Sequence, residues 1–279
     1  MKIKAMAAAC CCVLMSCGSS GNGNDEAFAD SGQVGALPAG PGATVVYSGN
    51  VESVTYDPDT QILNILGDPF DLAGDFVRAP ERDVAGFAAF ENERGFRQYL
   101  ALLRTDDEND LAAGVVGTPV RFNTEFGGTV LARGAVPDLP TNREVRHVGE
   151  YAAVRNVGTN VGADMSNSFL HRVTGDVQLD LDFFSDGPTP GIEGAITNRR
   201  NLDATVQVDG RTVPVSYGDI VLVFSGIDDE GNFAGIADEV GGGAGSYVGV
   251  IAGTDAAASA GIVEIGPERG AFIARTDSP

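Results

Sequence analysis

The pattern that most restricts the fold of this chain is a strict alternation of side chains from Asp176 to Phe183. Its odd positions are Val, Leu, Leu and Phe, and its even positions are Asp, Gln, Asp and Asp. Successive side chains of a β-strand point to opposite faces of the sheet, so the segment is predicted to be a half-buried antiparallel strand.

Short apolar runs continue to the C-terminus at intervals of about 10–14 residues. The Gly187–Gly191 stretch and the pair Asp209-Gly210 are turn signals, and the latter is typical of a hairpin. Asp219 to Ser225 is predicted to be a more buried strand than its neighbours. The other predicted strands are Ile192 to Thr197, Leu202 to Val208, Phe233 to Ala237, Tyr247 to Ala252, Gly261 to Ile265 and Ala271 to Arg275. Strands of this rhythm with internal glycines favour a small closed barrel, which has no exposed edges.

The first half of the ordered chain also predicts strands, at Thr44 to Tyr56, Gln61 to Leu66 and Val120 to Arg133. Phe87 to Leu103 is ambiguous, because some of its apolar residues have helical spacing while Gly95 interrupts the run. We interpret it as strand and keep helix as the alternative. The expected fold class is therefore all-β.

The N-terminus has the parts of a bacterial export signal: Lys2 and Lys4, then an apolar run from Ala5 to Met15. Leu14 to Cys17 resembles the lipobox of bacterial lipoproteins, in which the cysteine thiol accepts lipid before cleavage. We expect a signal peptide at 1–16, a lipid anchor on Cys17 and a flexible tether at 17–42. An ordinary secretory signal is the alternative.

Cysteine usage and charge exclude several classes of function. Cleavage before Cys17 would remove the other three of the four cysteines, which leaves no disulfide framework or thiol site. The chain has 18 Lys and Arg against 39 Asp and Glu, a formal net charge of −21. Such a charge repels nucleic acid and anionic lipid, so we expect no nucleic-acid partner and membrane attachment only through lipid. The acidity indicates either an ordinary acidic surface or a dedicated acidic binding face.

Several glycine and aromatic motifs resemble the barrel domain of the transferrin-binding protein B family. They are Gly175 to Phe183, Gly194 to Thr197, Gly231 to Gly235, Gly245 to Gly249, Gly253 to Ala257 and Gly270 to Phe272. The resemblance implies a strand-rich, handle-like subdomain at 43–137 beside an eight-stranded antiparallel barrel at 138–279. It covers one barrel, whereas the classical receptor has two lobes.

Candidate chemical groups are few. His147 and His171 lack a nucleophile motif, so we expect no catalytic residue and no enzyme; as the family includes haem binders, either histidine as an axial haem ligand is the alternative. Asp228 to Asn232 has oxygen ligands at alternate positions but lacks the distant glutamate of a calcium loop, so a turn and no metal site is expected. No cofactor is expected.

A closed eight-stranded barrel meets a large ligand through its rim loops. The expected rim loops are Ser185 to Gly191, Asn198 to Asn201, Asp228 to Asn232 and Glu239 to Ser246. Their candidate ligand-binding residues are Asp228, Asp229, Glu230, Arg199 and Arg200. The expected function is a lipid-anchored outer-membrane protein, on either face, that captures an external iron-carrier protein or haem; the alternative is a structural or assembly lipoprotein.

Overall fold

The structure is a computed structural model that describes residues 43–68, 74–94, 97–121, 124–158, 168–184 and 190–277. Over these ranges the chain forms seventeen β-strands in two sheets, with a short 3₁₀ helix at Pro80–Arg82. In the described part, no helix has the length and apolar character needed to cross a membrane. The predicted signal peptide, lipid anchor and tether lie outside the described residues, and so does most of the predicted turn at Gly187–Gly191.

The first sheet contains eight antiparallel strands in the order β1-β8-β7-β6-β5-β4-β3-β2. Its strands are β1 (Thr44–Gly49), β2 (Ser53–Asp57), β3 (Ile62–Leu66), β4 (Gly74–Arg78), β5 (Ala88–Arg94), β6 (Arg97–Asp106), β7 (Leu111–Arg121) and β8 (Thr124–Arg133). The sheet curls like a barrel, because one of its faces encloses apolar side chains from all eight strands. The link between β1 and β2 crosses the gap, since Asn50 N–H donates to Gly127 and Glu52 N–H donates to Leu66.

The second sheet is a closed antiparallel barrel. Its strands are β9 (Glu144–Gly158), β10 (Ser168–Asp182), β11 (Gly191–Val208), β12 (Arg211–Ser216), β13 (Ile220–Gly226), β14 (Asn232–Glu239), β15 (Ala244–Ala252), β16 (Ala258–Ile265) and β17 (Glu268–Thr276). Pairing of β10 with β11 closes a ring of eight strands, and β12 lies outside that ring as the second arm of a hairpin. The predicted fold class, an all-β chain with an eight-stranded antiparallel barrel, is confirmed.

The barrel interior is packed with apolar side chains. The alternation predicted for Asp176 to Phe183 is confirmed: Val177, Leu179 and Leu181 lie in the barrel core, and the Asp and Gln residues between them face outwards. Five buried aromatic residues among those described belong to this core: Tyr151, Phe183, Phe233, Tyr247 and Phe272.

The two sheets share a second apolar core, which lies between the first sheet and the outer wall of the barrel. Small side chains such as Ala260 and Ala271 on the barrel let Leu102 and Leu131 of the first sheet approach closely. Arg275 of β17 also pairs with Asp106 of β6 at 2.6 Å. These contacts cover β9, the start of β10 and β15–β17, and they leave β11, β13 and β14 outside this shared core.

In the first half of the described chain, the ambiguous segment forms strands and one predicted strand is divided in two. Ala88–Arg94 and Arg97–Asp106 form β5 and β6, so for the described residues of Phe87 to Leu103 the strand interpretation is confirmed and the helical alternative is wrong. Both faces of β6 are buried, with Leu102 in one core and Leu103 in the other, so its sequence does not alternate. Thr44 to Tyr56, predicted as one strand, is two strands, because Gly49 adopts a positive φ of 63° and the chain turns.

Candidate functional site

The two ends of the barrel differ. Arg133 of β8 pairs in register with Thr44, the first residue of β1, and its Nη1 donates to the carbonyls of Glu230 (2.7 Å) and Ile251 (3.0 Å). The described chain therefore begins beside one end of the barrel, which we call the Ala43 end. At the opposite end, the hairpin end, β11 continues beyond the ring and returns as β12.

The β11–β12 hairpin turns at Asp209-Gly210, where both residues have positive φ (50° and 75°). This geometry is that of the mirror-image turn which suits twisted strands, so the turn predicted there is confirmed. Val206 lies opposite Val213 across the hairpin, and Val206 and Val208 are each about half exposed. A two-stranded hairpin that projects with apolar side chains in water is a natural contact surface.

The free edge of this hairpin is protected. Pro214 of β12 lies opposite Thr205 of β11, and among the described strands β12 pairs with β11 alone. Proline has no N–H, and sheets tolerate it only where that donor would face solvent. Addition of a further strand at this edge is therefore disfavoured, and contact through the side-chain face is favoured.

Inside the hairpin end lies a buried network of charges. Arg199 donates through Nη2 to Glu268 (2.7 Å) and through Nη1 to Glu239 (2.7 Å). Glu268 also accepts hydrogen bonds from Tyr151 Oη (2.9 Å) and from Arg155 Nη1 (2.9 Å). Arg199 is 1% exposed and Glu268 is fully buried. The two arginines balance the charges of the two glutamates, which makes the burial of Arg199 and Glu268 tolerable beside the partly exposed Arg155 and Glu239.

The network shifts the ionisation of its members. Burial by itself would lower the pKa of Arg199, but the adjacent Glu268 and the other acceptors raise it above its ordinary value. Burial, reinforced by the charge of Glu268, raises the pKa of Tyr151 well above its ordinary value, so its hydroxyl remains a donor. Arg199 Nε is buried without a hydrogen-bond partner among the described residues.

A half-buried aromatic and amide layer covers this network. The guanidinium of Arg155 lies 4.3 Å from the ring centroid of Tyr217, a stacking contact between a cation and an aromatic face. Asn201 Nδ2 lies 2.8 Å from Tyr217 Oη and 2.8 Å from His171 Nδ1. The layer closes the hairpin end of the barrel with polar groups that are already paired with one another.

The structure corrects the position of Arg199. The predicted rim loop Asn198 to Asn201 lies inside β11 and is not a loop. Asn198 has a positive φ of 53° at a register shift between β10 and β11, and this bulge turns Arg199 into the barrel while Arg200 stays exposed. Arg199 is therefore no exposed rim cation.

The acidic loop is at the other end of the barrel from Arg199 and Arg200. Asp228 Oδ1 accepts the backbone N–H groups of Glu230 (3.0 Å) and Asn232 (2.7 Å), which makes the predicted turn. The charges of Asp228 and Glu230 also oppose the burial that lowers the pKa of Arg133. Asp229 is exposed. The predicted ligand-binding residues thus form two separate groups.

The glutamates of the network were not predicted from the sequence. Glu268 follows Pro267 and precedes Arg269 and Gly270, a composition typical of an exposed turn. Glu239 lies at the end of β14, where a solvated charge is ordinary. Only their meeting with Arg199 inside a closed barrel shows that they form one cluster.

His147 presents no free ring nitrogen for a haem iron, and one ring nitrogen of His171 is hydrogen-bonded. His147 is buried, with Nδ1 bonded to Ser259 Oγ (2.9 Å) and Nε2 to the Ala256 carbonyl (2.7 Å). Asn201 Oδ1 accepts the backbone N–H of Asp203, which fixes the amide so that its Nδ2 donates to His171 Nδ1. The proton of neutral His171 then lies on Nε2, where an axial ligand would need a lone pair.

Comparison with known proteins gives matches among solved structures. The fold resembles that of transferrin-binding protein B. Isotype 1 of that protein from serogroup B Neisseria meningitidis shares 15% identity over 84% of this chain and 43% of its own, with a TM-score of 0.43. A double mutant of the Haemophilus parasuis Hp5 protein shares 13% identity over 83% of this chain and 44% of its own, also with a TM-score of 0.43.

A structure described as a surface lipoprotein shares 12% identity over 83% of this chain and 98% of its own, with a TM-score of 0.38. Two of these three structures are of transferrin-binding protein B, whose family the sequence motifs resemble. This chain spans less than half the length of the two transferrin-binding proteins. No family model and no curated protein sequence matches it.

Proposed function

We propose that this chain is a lipid-anchored envelope protein that captures an external protein ligand at the hairpin end of its barrel. One observation carries the proposal: the described chain begins at one end of the barrel, and the exposed hairpin projects from the other. A lipid on Cys17, joined through residues 17–42, would place the Ala43 end towards the membrane and the hairpin away from it.

The dimensions suit such a display. Strand β9 has 15 residues, which corresponds to about 50 Å along the strand. Barrel strands tilt by about 40° from the axis, so the two ends lie about 35 Å apart. The hairpin projects beyond that distance. We propose that the chain divides into a handle-like subdomain at 43–137 and a barrel at 138–279. In this division, the first sheet supports the barrel from its side.

The ligand is proposed to be a protein because the interior offers little room. The barrel is filled by its own apolar side chains. A cavity lined by residues of the first sheet is apolar and has a volume of about 10 Å³. That is room for about one water molecule. Both ring nitrogens of His147 are hydrogen-bonded, and the iron-carrier protein implied by the sequence resemblance is the proposed class of ligand.

Cells that carry the full-length chain provide the test. They are incubated with native medium, and the captured protein is compared between the unaltered chain and a variant with Val206→Ser, Val208→Ser and Val213→Ser. We expect at least about tenfold weaker capture by the variant, since the exposed valines of the hairpin supply the apolar contact. Val77→Ser, on exposed β4 of the first sheet, is the matched control and should capture normally. Equal capture by all three chains would contradict the assignment of the hairpin.

A further inference from the structure

A β-bulge on the barrel wall turns two consecutive apolar side chains outwards. The β11–β13 register shifts between the pairs Ile192–Ser225 and Gly194–Leu222, so Val223 and Phe224 both lie opposite Glu193. In a bulge of this kind, two residues of one strand face one residue of its partner. Both side chains are exposed, with Phe224 at 54%.

The barrel interior holds this bulge in place. Tyr247 Oη donates to the carbonyl oxygen of Val223 at 2.6 Å and lies 3.0 Å from Ser225 Oγ. Tyr247 itself is buried in the core. The ring of Phe224 lies over Gly191, so close that any side chain at this position would collide with it. The display of Val223 and Phe224 is thus a supported feature of the fold.

The two side chains belong to a larger apolar face. With Val221 on β13 and Ile236 on β14 they form an exposed patch, which we call the β13 wall. Ile220 and Leu222 point into the core, so the strand alternates and the sequence expectation of a more buried strand is wrong. The reason is that the first sheet packs on the opposite side of the barrel. Contiguous exposed apolar surface of this kind marks an interaction site.

Acidic side chains flank the β13 wall. Asp180 on β10 lies directly opposite Glu193 on β11, and Asp238 lies opposite Val221. Like charges directly opposite each other destabilise a strand pair. Arg146 pairs with Asp180 at 2.7 Å, although both side chains are about half exposed and the pair is weak. An incoming cation would relieve this repulsion.

We propose that the β13 wall is a second docking surface, which takes a protein whose contact region has an apolar centre with basic residues beside it. Charge complementarity favours such a protein over anionic lipid, a second copy of this chain and the chain's own residues 17–42. Anionic lipid and a second copy of this chain, with a net charge of −21, are both repelled by the acidic flank. The chain's own residues 17–42 contain Asp25, Glu26 and Asp30 and no Lys or Arg, so they are repelled too.

This surface is separate from the hairpin. It lies on the side of the barrel, on the segments Val221–Phe224 and Ile236, whereas the hairpin projects from one end. A protein held at the β13 wall would leave the hairpin end free. The two surfaces can therefore be tested independently, and the loss of one leaves the other intact.

Site-specific photocrosslinking of the full chain in its cells is the first arm of the test. Benzoylphenylalanine replaces Phe224 in one chain, Ile236 in a second and exposed Val77 of the first sheet in a third. We expect adducts with one basic protein from the first two positions and none of that protein from the third. No adduct, or adducts only with lipid, with a second copy or with residues 17–42, would overturn the proposal.

Binding of the crosslinked protein, purified and mixed with the full chain in detergent, is the second arm. We expect the dissociation constant to rise at least tenfold in the variant Phe224→Ser and in the double variant Asp180→Ser with Glu193→Ser. A rise in salt from about 50 to about 500 mM should weaken binding of the parent chain by the same factor. The triple valine variant of the hairpin and Val77→Ser should bind normally. Unchanged affinity in the Phe224 and acidic variants, with melting temperatures equal to that of the parent, would overturn the proposal.

Discussion

The hydroxyl of Tyr247 and the carbonyl of Val223 meet at 2.6 Å, although the side chain of Tyr247 belongs to the core and that of Val223 faces solvent. The contact links the interior of the barrel to the β13 wall. A carbonyl turned inwards at a bulge needs a donor, because an unpaired buried polar group is costly. Tyr247 supplies that donor, and burial raises the pKa of Tyr247 despite the opposing effect of Ser225.

Tyr247→Phe should loosen the bulge. The substitution leaves the Val223 carbonyl without this donor, which costs about 1–3 kcal/mol of unfolding free energy. Amide hydrogen exchange at Val223 to Ser225 should rise more than elsewhere in the barrel. Tyr56→Phe, on the half-buried β2, is the control and should leave exchange in β13 unchanged. Unaltered exchange in the Tyr247 variant would show that the bulge does not depend on the hydroxyl.

Leu181→Asp should unfold or strongly destabilise the barrel. Leu181 is 1% exposed in the core, so the substitution buries a charge without a partner and costs several kcal/mol, about 3 or more. Asp180→Ser at the next position changes a partly exposed side chain and should cost about 0.5 kcal/mol or less. Thermal melting of both variants checks this, and equal melting temperatures would refute the face assignment.

Asp228→Ala should destabilise the protein by about 1–2 kcal/mol, because its carboxylate accepts two backbone N–H groups of the turn. Asp229→Ala should change stability by about 0.5 kcal/mol or less, since Asp229 is exposed beside it. Urea unfolding measures the difference. If both variants unfold at the same urea concentration, the turn does not need Asp228.

Stability should fall as the pH is lowered from about 6.5 to about 4, because of His147. Burial lowers the pKa of His147 to about 4, so over this window the unfolded chain binds a proton that the folded chain does not. The shift of the pKa from 6.5 to about 4 corresponds to about 3 kcal/mol of unfolding free energy. This contribution is fully present above about pH 6.5 and is lost as the pH falls towards 4. His147→Gln should show a smaller difference in urea midpoint between pH 7 and pH 4.5. An equal difference in both proteins would assign the acid sensitivity to other groups.

Cys17→Ala should abolish lipid attachment and leave the chain unprocessed or soluble, because the thiolate of Cys17 is the proposed acceptor. Incorporation of labelled palmitate in cells provides the measurement. Ser16→Ala, next to it, keeps the thiol and should remain labelled. Label on the Cys17→Ala chain would rule out the proposed anchor.

Local patterns predicted most strands of the barrel, and the family resemblance added the number of strands in it. The alternation around Leu181 and the Asp209-Gly210 turn depend on period and backbone preference, which short segments carry by themselves. The same rules failed where neighbours decide burial. Leu102 and Leu103 are both buried because the first sheet has a core on each face, and this removed the alternation from β6.

Tertiary structure alone decided which charges meet and which apolar residues stay in water. Arg199 looked like a loop cation, but a bulge at Asn198 turns it inwards, where closure of the barrel brings Glu268 to it across 69 residues of sequence. Val223 looked like a buried strand residue, but the first sheet packs on the opposite wall and leaves it exposed. Burial depends on what another part of the chain covers, and a local sequence pattern does not contain that information.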